Sequence, residues 1–240
     1  MSSRVQPLFL LLLLVTTATD VKNIVHRLET RYHSARTLQA TFLERYVENG
    51  RVVRTEAGIA YFRRPGKMRW EYQSPEKNLF LVDGKWAWFY VPADHTVTRV
   101  PAKESTDWRT PLALLAGEMK VSRVCARIEP AINEKPESPD HVVLFCELRS
   151  AGSETHRQSS QQPPSQVSDA GEAVFFEVVE ASGELVRVFV RGPGGVGIEF
   201  HFTNWQADPL IHDSLFHFHA PPGVAIVNGE LPDGTGGINP

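Results

Sequence analysis

The sequence predicts a mainly β chain: an antiparallel meander of about eleven strands, curled or partly closed, with two helical segments. Three observations carry that expectation. From Leu38 onwards, apolar residues recur with period two, the alternation of a strand with one buried face. Tight turn signals such as Glu48-Asn49-Gly50-Arg51 and Asp83-Gly84 join successive runs, and a connection that short pairs its strands antiparallel. Helical periodicity is confined to a stretch near the start and to one short apolar segment.

The chain has 240 residues, 42% hydrophobic and 10% aromatic, enough for one large core or two small ones. Its formal net charge is −3, and no run of Lys or Arg is long enough for a phosphate-binding stripe, so nucleic acid is not an expected partner. The first 18 residues have the pattern of a secretory signal. Arg4 precedes the apolar run Leu8 to Val15, and the small residues Thr16-Thr17-Ala18-Thr19 follow, with cleavage expected after Ala18. The run is short for a membrane span and holds no Cys for amino-terminal lipidation, so the mature protein is expected to be soluble. Export implies an oxidising compartment, where the two cysteines, Cys125 and Cys146, can pair. They lie in two strand-like runs, 120–128 and 141–148, and a hairpin between these brings the thiols together. The alternative is two buried free thiols.

From Asp20, Val21, Ile24, Val25, Leu28 and Tyr32 follow helical spacing, with Asp20 as the cap. Strands are expected at 38–42, 53–61, 78–82, 85–91 and 96–100. Tyr61 to Tyr72 reads as a strand end, a tight turn and a new strand. Pro65 fixes the turn, and Met68, Trp70 and Tyr72 alternate with Lys67, Arg69 and Glu71. Taken locally, Arg63 and Arg64 are solvated turn residues. Thr110-Pro111-Leu112-Ala113-Leu114-Leu115-Ala116-Gly117 carries a cap, a first-turn proline and a terminal glycine. This helix is about two turns long and apolar on nearly every side, so it needs burial. It either plugs a β-core or covers a cavity that can open. Further strands are expected at 119–129, 141–149, 173–180, 185–191, 196–205 and 215–219. Residues 150–171, rich in Ser, Gln, Pro and Gly, read as a flexible insertion, and residues 228–240 as a flexible tail. One domain is expected over 19–227.

Enzyme chemistry is not written in the chain. Gly192-Pro193-Gly194-Gly195-Val196-Gly197 fits a dinucleotide-binding spacing, but strands are expected on both sides and no helix follows to hold a pyrophosphate, so it reads as a hairpin turn. His212-Asp213-Ser214 places triad residue types side by side, whereas triads assemble in space. His217 and His219 alternate with Phe216 and Phe218 and should face away from the core, with no third ligand at metal-site spacing. No catalytic residue, metal site or cofactor is expected.

Four stretches in order resemble the periplasmic outer-membrane lipoprotein carrier proteins, the LolA-like family. They are Leu38-Gln39-Ala40-Thr41-Phe42, Phe62-Arg63-Arg64-Pro65-Gly66-Lys67-Met68-Arg69-Trp70, Leu81 to Tyr90, and Thr110 to Leu115, with a weaker match at 216–224. The resemblance implies an open, incomplete antiparallel β-barrel with an apolar concave face and a helical lid. It also implies a function. Such carriers take acylated lipoproteins from an inner-membrane ABC transporter complex and shield their acyl chains across the periplasm. They then hand them to an outer-membrane receptor lipoprotein. By analogy, Arg64, before Pro65, latches the lid by bonding to carbonyls of a helix, matched here to Pro111, Leu112, Leu114 and Leu115. Met68, Trp70, Tyr72, Trp86, Trp88 and Phe89 are expected to wall the acyl-binding cavity, and the protein is expected to be a monomer. A carrier of another lipid, or a lipid-sensing regulator that binds a protein partner, are the competing readings on the same fold.

Overall fold

A computed structural model describes residues 20–102, 120–148 and 173–229. The expected signal at 1–18, the apolar helix at 111–116, the insertion at 150–171 and all but the start of the tail lie outside these residues.

Asp20 caps helix α1 (Val21–Ser34), its carboxylate accepting from the Asn23 backbone N–H at 3.2 Å. Ile24, Leu28 and Tyr32 form the buried stripe of α1. Twelve strands follow among the described residues. In the first half these are β1 (Thr37–Glu48), β2 (Arg51–Arg63), β3 (Lys67–Ser74), β4 (Leu79–Val82), β5 (Trp86–Val91) and β6 (Thr96–Pro101). In the second they are β7 (Cys125–Pro130), β8 (His141–Leu148), β9 (Ala173–Val179), β10 (Leu185–Arg191), β11 (Val196–Ala207) and β12 (Ala225–Asn228). A one-turn helix, α2 (Val121–Val124), leads into β7.

The strands make one sheet in the order β12-β6-β5-β4-β3-β2-β1-β11-β10-β9-β8-β7, antiparallel except where β12 runs parallel to β6. Among the described residues the two ends of this order do not pair, so the barrel is open. It is nevertheless curled. Trp70 on β3 and Phe200 on β11, three strands away, bring their rings to 5.4 Å, and Val100 on β6 shares one apolar cluster with Cys146 on β8. That cluster defines an inner face, onto which α1 lays Ile24, Leu28 and Tyr32.

Beyond the strand expected at 119–129, which begins only at Cys125 after the one-turn helix α2, two expectations need correcting. Residues 215–219 are not a strand. Asp213–Phe216 is a 3₁₀ turn and an irregular stretch follows. Phe216 and Phe218 instead press onto the outer face beside Trp88 and Tyr90. Alternation reports one buried side, not a hydrogen-bonded neighbour, and a segment lying across a sheet shows the same period. The second correction is at the C-terminal end, where a strand, β12, was not foreseen. Its four residues are all exposed, so they carry no burial pattern to read. The glycine-rich segment after β10 is a hairpin turn as expected, with Gly194 and Gly195 at φ 72° and 76°.

Candidate functional site

Period two places Met68, Trp70 and Tyr72 together on the inner face, all buried. Trp70 is fully buried at the centre of an aromatic cluster, with Phe42 at 4.8 Å, Phe62 at 5.7 Å and Phe202 at 6.0 Å between ring centroids. Most of these pairs meet edge to face, the arrangement favoured by the ring quadrupole. The register Ala60↔Trp70↔Phe80↔Phe89 puts Phe89 on the same side. Trp88 is next to Phe89 in the chain and must point the other way. Trp86 and Trp88 therefore lie on the outer face, under the 208–224 segment, where Trp88 stacks on Phe218 at 5.2 Å. The six residues expected to form one wall divide four to two between the faces.

The inner face is apolar with few exceptions. Glu44 is fully buried there, and its Oε2 accepts from the Tyr72 hydroxyl at 2.7 Å. The Trp70 indole N–H is buried and has no hydrogen-bond partner among the described residues.

The two arginines of the β2–β3 turn serve opposite sides of the sheet. Arg63 turns outwards, donating to the Ile211 carbonyl at 3.1 Å and lying 3.7 Å from Asp213. Lys67 donates to the same carboxylate at 2.9 Å, which holds Asp213 below the usual carboxylate range. Arg64 turns inwards and donates through its two terminal nitrogens to the Tyr32 and His33 carbonyls in the last turn of α1. Those carbonyls have no intrahelical partner, and one guanidinium satisfies both. Burial pulls the Arg64 pKa down, against the opposing pull of Asp208. The described partner of Arg64 is thus α1. The apolar segment Pro111, Leu112, Leu114 and Leu115 lies outside the described residues.

Further contacts fix α1 along its length. Arg27 donates to the Glu180 carbonyl at 2.8 Å, Arg31 bonds to Glu184, and the Leu185 N–H donates to the Tyr32 hydroxyl at 2.8 Å. Gly183, at φ 69°, brings the β9–β10 turn against the backbone of Arg27 and Leu28, where a Cβ would come within 2.5 Å. Cys125 and Cys146 form a disulfide with Cα atoms 5.3 Å apart, tying β7, at the edge of the sheet, to β8.

Reasoning from the sequence missed the role of α1, whose last turn carries no mark of the loop that approaches it. It also missed Phe42, Phe62, Phe200 and Phe202 as neighbours of Trp70. The alternation in β1 and β11 could have flagged Phe42 and Phe202, but not their meeting with Trp70, two and three strands away in the sheet. Among the described residues no group of three or more His, Cys, Asp or Glu could hold a metal ion, and no helix is long and apolar enough to cross a membrane.

A curled, open sheet whose aromatic inner face is covered by a helix held through polar contacts defines a class of fold: an open, helix-covered β-barrel. Comparisons with known proteins narrow the class. The sequence profile of the outer membrane lipoprotein carrier protein LolA matches residues 33–135. An outer-membrane lipoprotein carrier protein of Chromobacterium violaceum is 34% identical over 207 residues, 86% of this chain and 88% of that one. One from Nitrosospira multiformis is 35% identical over 118 residues, 48% of this chain and 55% of that one. The chain spans about half the length of the first curated relatives it matches. In fold it is similar to an uncharacterised conserved protein from Thermus thermophilus. The TM-score is 0.51 at 14% identity, over 87% of this chain and 98% of that one. The chain belongs to the outer-membrane lipoprotein carrier protein family.

Proposed function

We propose that this protein is a periplasmic carrier that takes up the acyl chains of lipoproteins on its inner face and moves them from the inner to the outer membrane. An inner-membrane ABC transporter complex is the proposed donor and an outer-membrane receptor lipoprotein the proposed acceptor. The observation that carries this reading is the pairing of an aromatic inner face with a helix, α1, held by two bonds from Arg64.

The energetics favour a lid that cargo can lift. Three buried side chains of α1 contribute on the order of 6 kcal/mol, and two hydrogen bonds from a charged donor add a few kcal/mol more. An acyl chain of about sixteen carbons gains on the order of 12 kcal/mol when shielded from water. The gain from bound acyl chains is therefore of the same order as the hold on α1, and release needs only an acceptor that shields the chain equally well. No covalent step is required.

Arg64→Leu tests the latch. The variant should fold, lose about 1–3 kcal/mol of stability as the helix carbonyls go unbonded, and retain an acylated lipopeptide severalfold more after gel filtration. Uptake and release indistinguishable from the unaltered protein would remove Arg64 from the latch.

A further inference from the structure

We propose that the indole N–H of Trp70 reads the ester carbonyl at the glyceryl head of a bound acyl chain. This proposal rests on the carrier reading above. A buried tryptophan normally finds an acceptor for its N–H, and leaving that donor unmade is unfavourable. The other tryptophans whose bonds are described conform: Trp205 donates to the Leu185 carbonyl at 2.8 Å, and Trp88 to Asp83 at 2.9 Å. Trp70 has no accessible surface, and its Nε1 has no partner among the described residues. Its surroundings are the rings of Phe42, Phe62, Phe200 and Phe202, and a ring face is at best a weak acceptor.

Among the described residues, the protein thus holds an unused donor in the middle of its apolar face. The body of an acyl chain offers it nothing, since methylenes have no acceptor. The carbonyl oxygen at the chain head does. In the pairing row Ala60 lies beside Trp70 and Ala40 beside Ala60, so β2 and β1 bring only methyl groups to the inner face there, and a bound ester must part this packed row to reach the N–H. A glyceride ester in this position turns an unfavourable buried N–H into a made bond. An alkyl chain without the carbonyl fills the same space and leaves the N–H unmade. Trp70 then distinguishes an esterified chain from any other apolar body of the same length.

The test compares a diacylglyceryl-cysteine lipopeptide with its dialkyl-ether analogue, on the intact protein and on Trp70→Phe, which keeps a ring and removes the donor. The intact protein should bind the ester about five- to fiftyfold more tightly than the ether, and the variant should bind the two about equally. Equal binding by the intact protein, or a preference that survives in the variant, overturns the proposal. If the variant does not fold, the intact protein suffices. The Trp70 indole N–H resonance should move downfield with the ester and not with the ether, and an unmoved resonance overturns the proposal. A diester phosphatidylglycerol and its ether counterpart form a second arm. Discrimination there too supports the glyceride ester as the group recognised, whatever molecule bears it. Discrimination with the lipopeptide alone supports acylated protein as its source. Equal binding of both lipopeptides would leave the carrier reading standing, whereas binding of neither overturns that as well.

Discussion

Arg63 and Arg64 are adjacent and chemically identical, yet one holds the outer segment at Ile211 and the other the last turn of α1. Arg63 ends β2 and Arg64 begins the turn, and read locally in the sequence the two looked alike, as solvated turn residues. The identity of their partners was not legible there, because an unbonded carbonyl exists at the end of every helix and only the tertiary fold chooses which arginine reaches it. Trp70 was legible as an inward residue from the spacing of Met68 and Tyr72. Its missing hydrogen-bond partner was not, since that depends on what the other strands and α1 bring near it. A third residue, on the outer face, carries a pH dependence. Glu199 is held below the usual carboxylate range, first by its hydrogen bond with His201, against partial burial, and then by Arg187 and Arg45. A lowered folded-state pKa means that the stabilisation is complete above the unfolded value of about 4.3 and is lost as the pH falls from there through the lower folded value. Urea titrations between pH 7 and pH 3 should therefore show a steeper acid loss for the unaltered protein than for Glu199→Gln. Parallel losses would show that Glu199 contributes nothing to acid sensitivity.

At the scale of elements, most strands were readable from their alternation, with ends displaced by one or two residues. Long strands were underestimated: β1, expected to stop at Phe42, runs to Glu48, and β2, expected from Val53, starts at the exposed tip residue Arg51. Which side of each strand faces inwards was harder to read. In β5, the family resemblance put Trp86, Trp88 and Phe89 together on the inner wall, although adjacent strand residues point to opposite faces. The register with β4 assigns that side to Phe89 instead, and the two tryptophans are covered by the 208–224 segment. A large aromatic residue needs only to be covered, and a sheet covered on both faces gives two places for it. The helix α1 was legible from its own period and cap, but its docking depends on a turn 153 residues away. Gly183 makes that docking close. Replacing it with Ala places a Cβ within 2.5 Å of the α1 backbone at a φ of 69°. Gly183→Ala should lower stability by about 1–3 kcal/mol in urea unfolding and speed hydrogen exchange of the α1 amides more than those of β2. Unchanged exchange in α1 would mean that the β9–β10 turn does not hold the helix.

At the scale of the whole molecule, the open sheet is what makes a carrier possible. A closed barrel of twelve strands fixes the size of its lumen, whereas the edges at β7 and β12, which do not pair with each other among the described residues, leave the inner face of the proposed carrier free to widen. The aromatic cluster around Trp70 supplies large, rigid apolar surfaces that do not collapse when α1 is displaced. The sequence carried the class of the fold through its period-two runs and short turns. Curling was not readable in the same way, because it arises from contacts between strands far apart in the order, such as Trp70 with Phe200. The central claim is that the inner face shields acyl chains attached to protein. It is tested most directly by purifying the protein from the cell envelope without detergent and identifying by mass spectrometry what accompanies it. Peptides bearing a diacylglyceryl-modified amino-terminal cysteine are the predicted companions, enriched further on Arg64→Leu. Free lipid alone, or a stoichiometric protein partner without acyl chains, would contradict it.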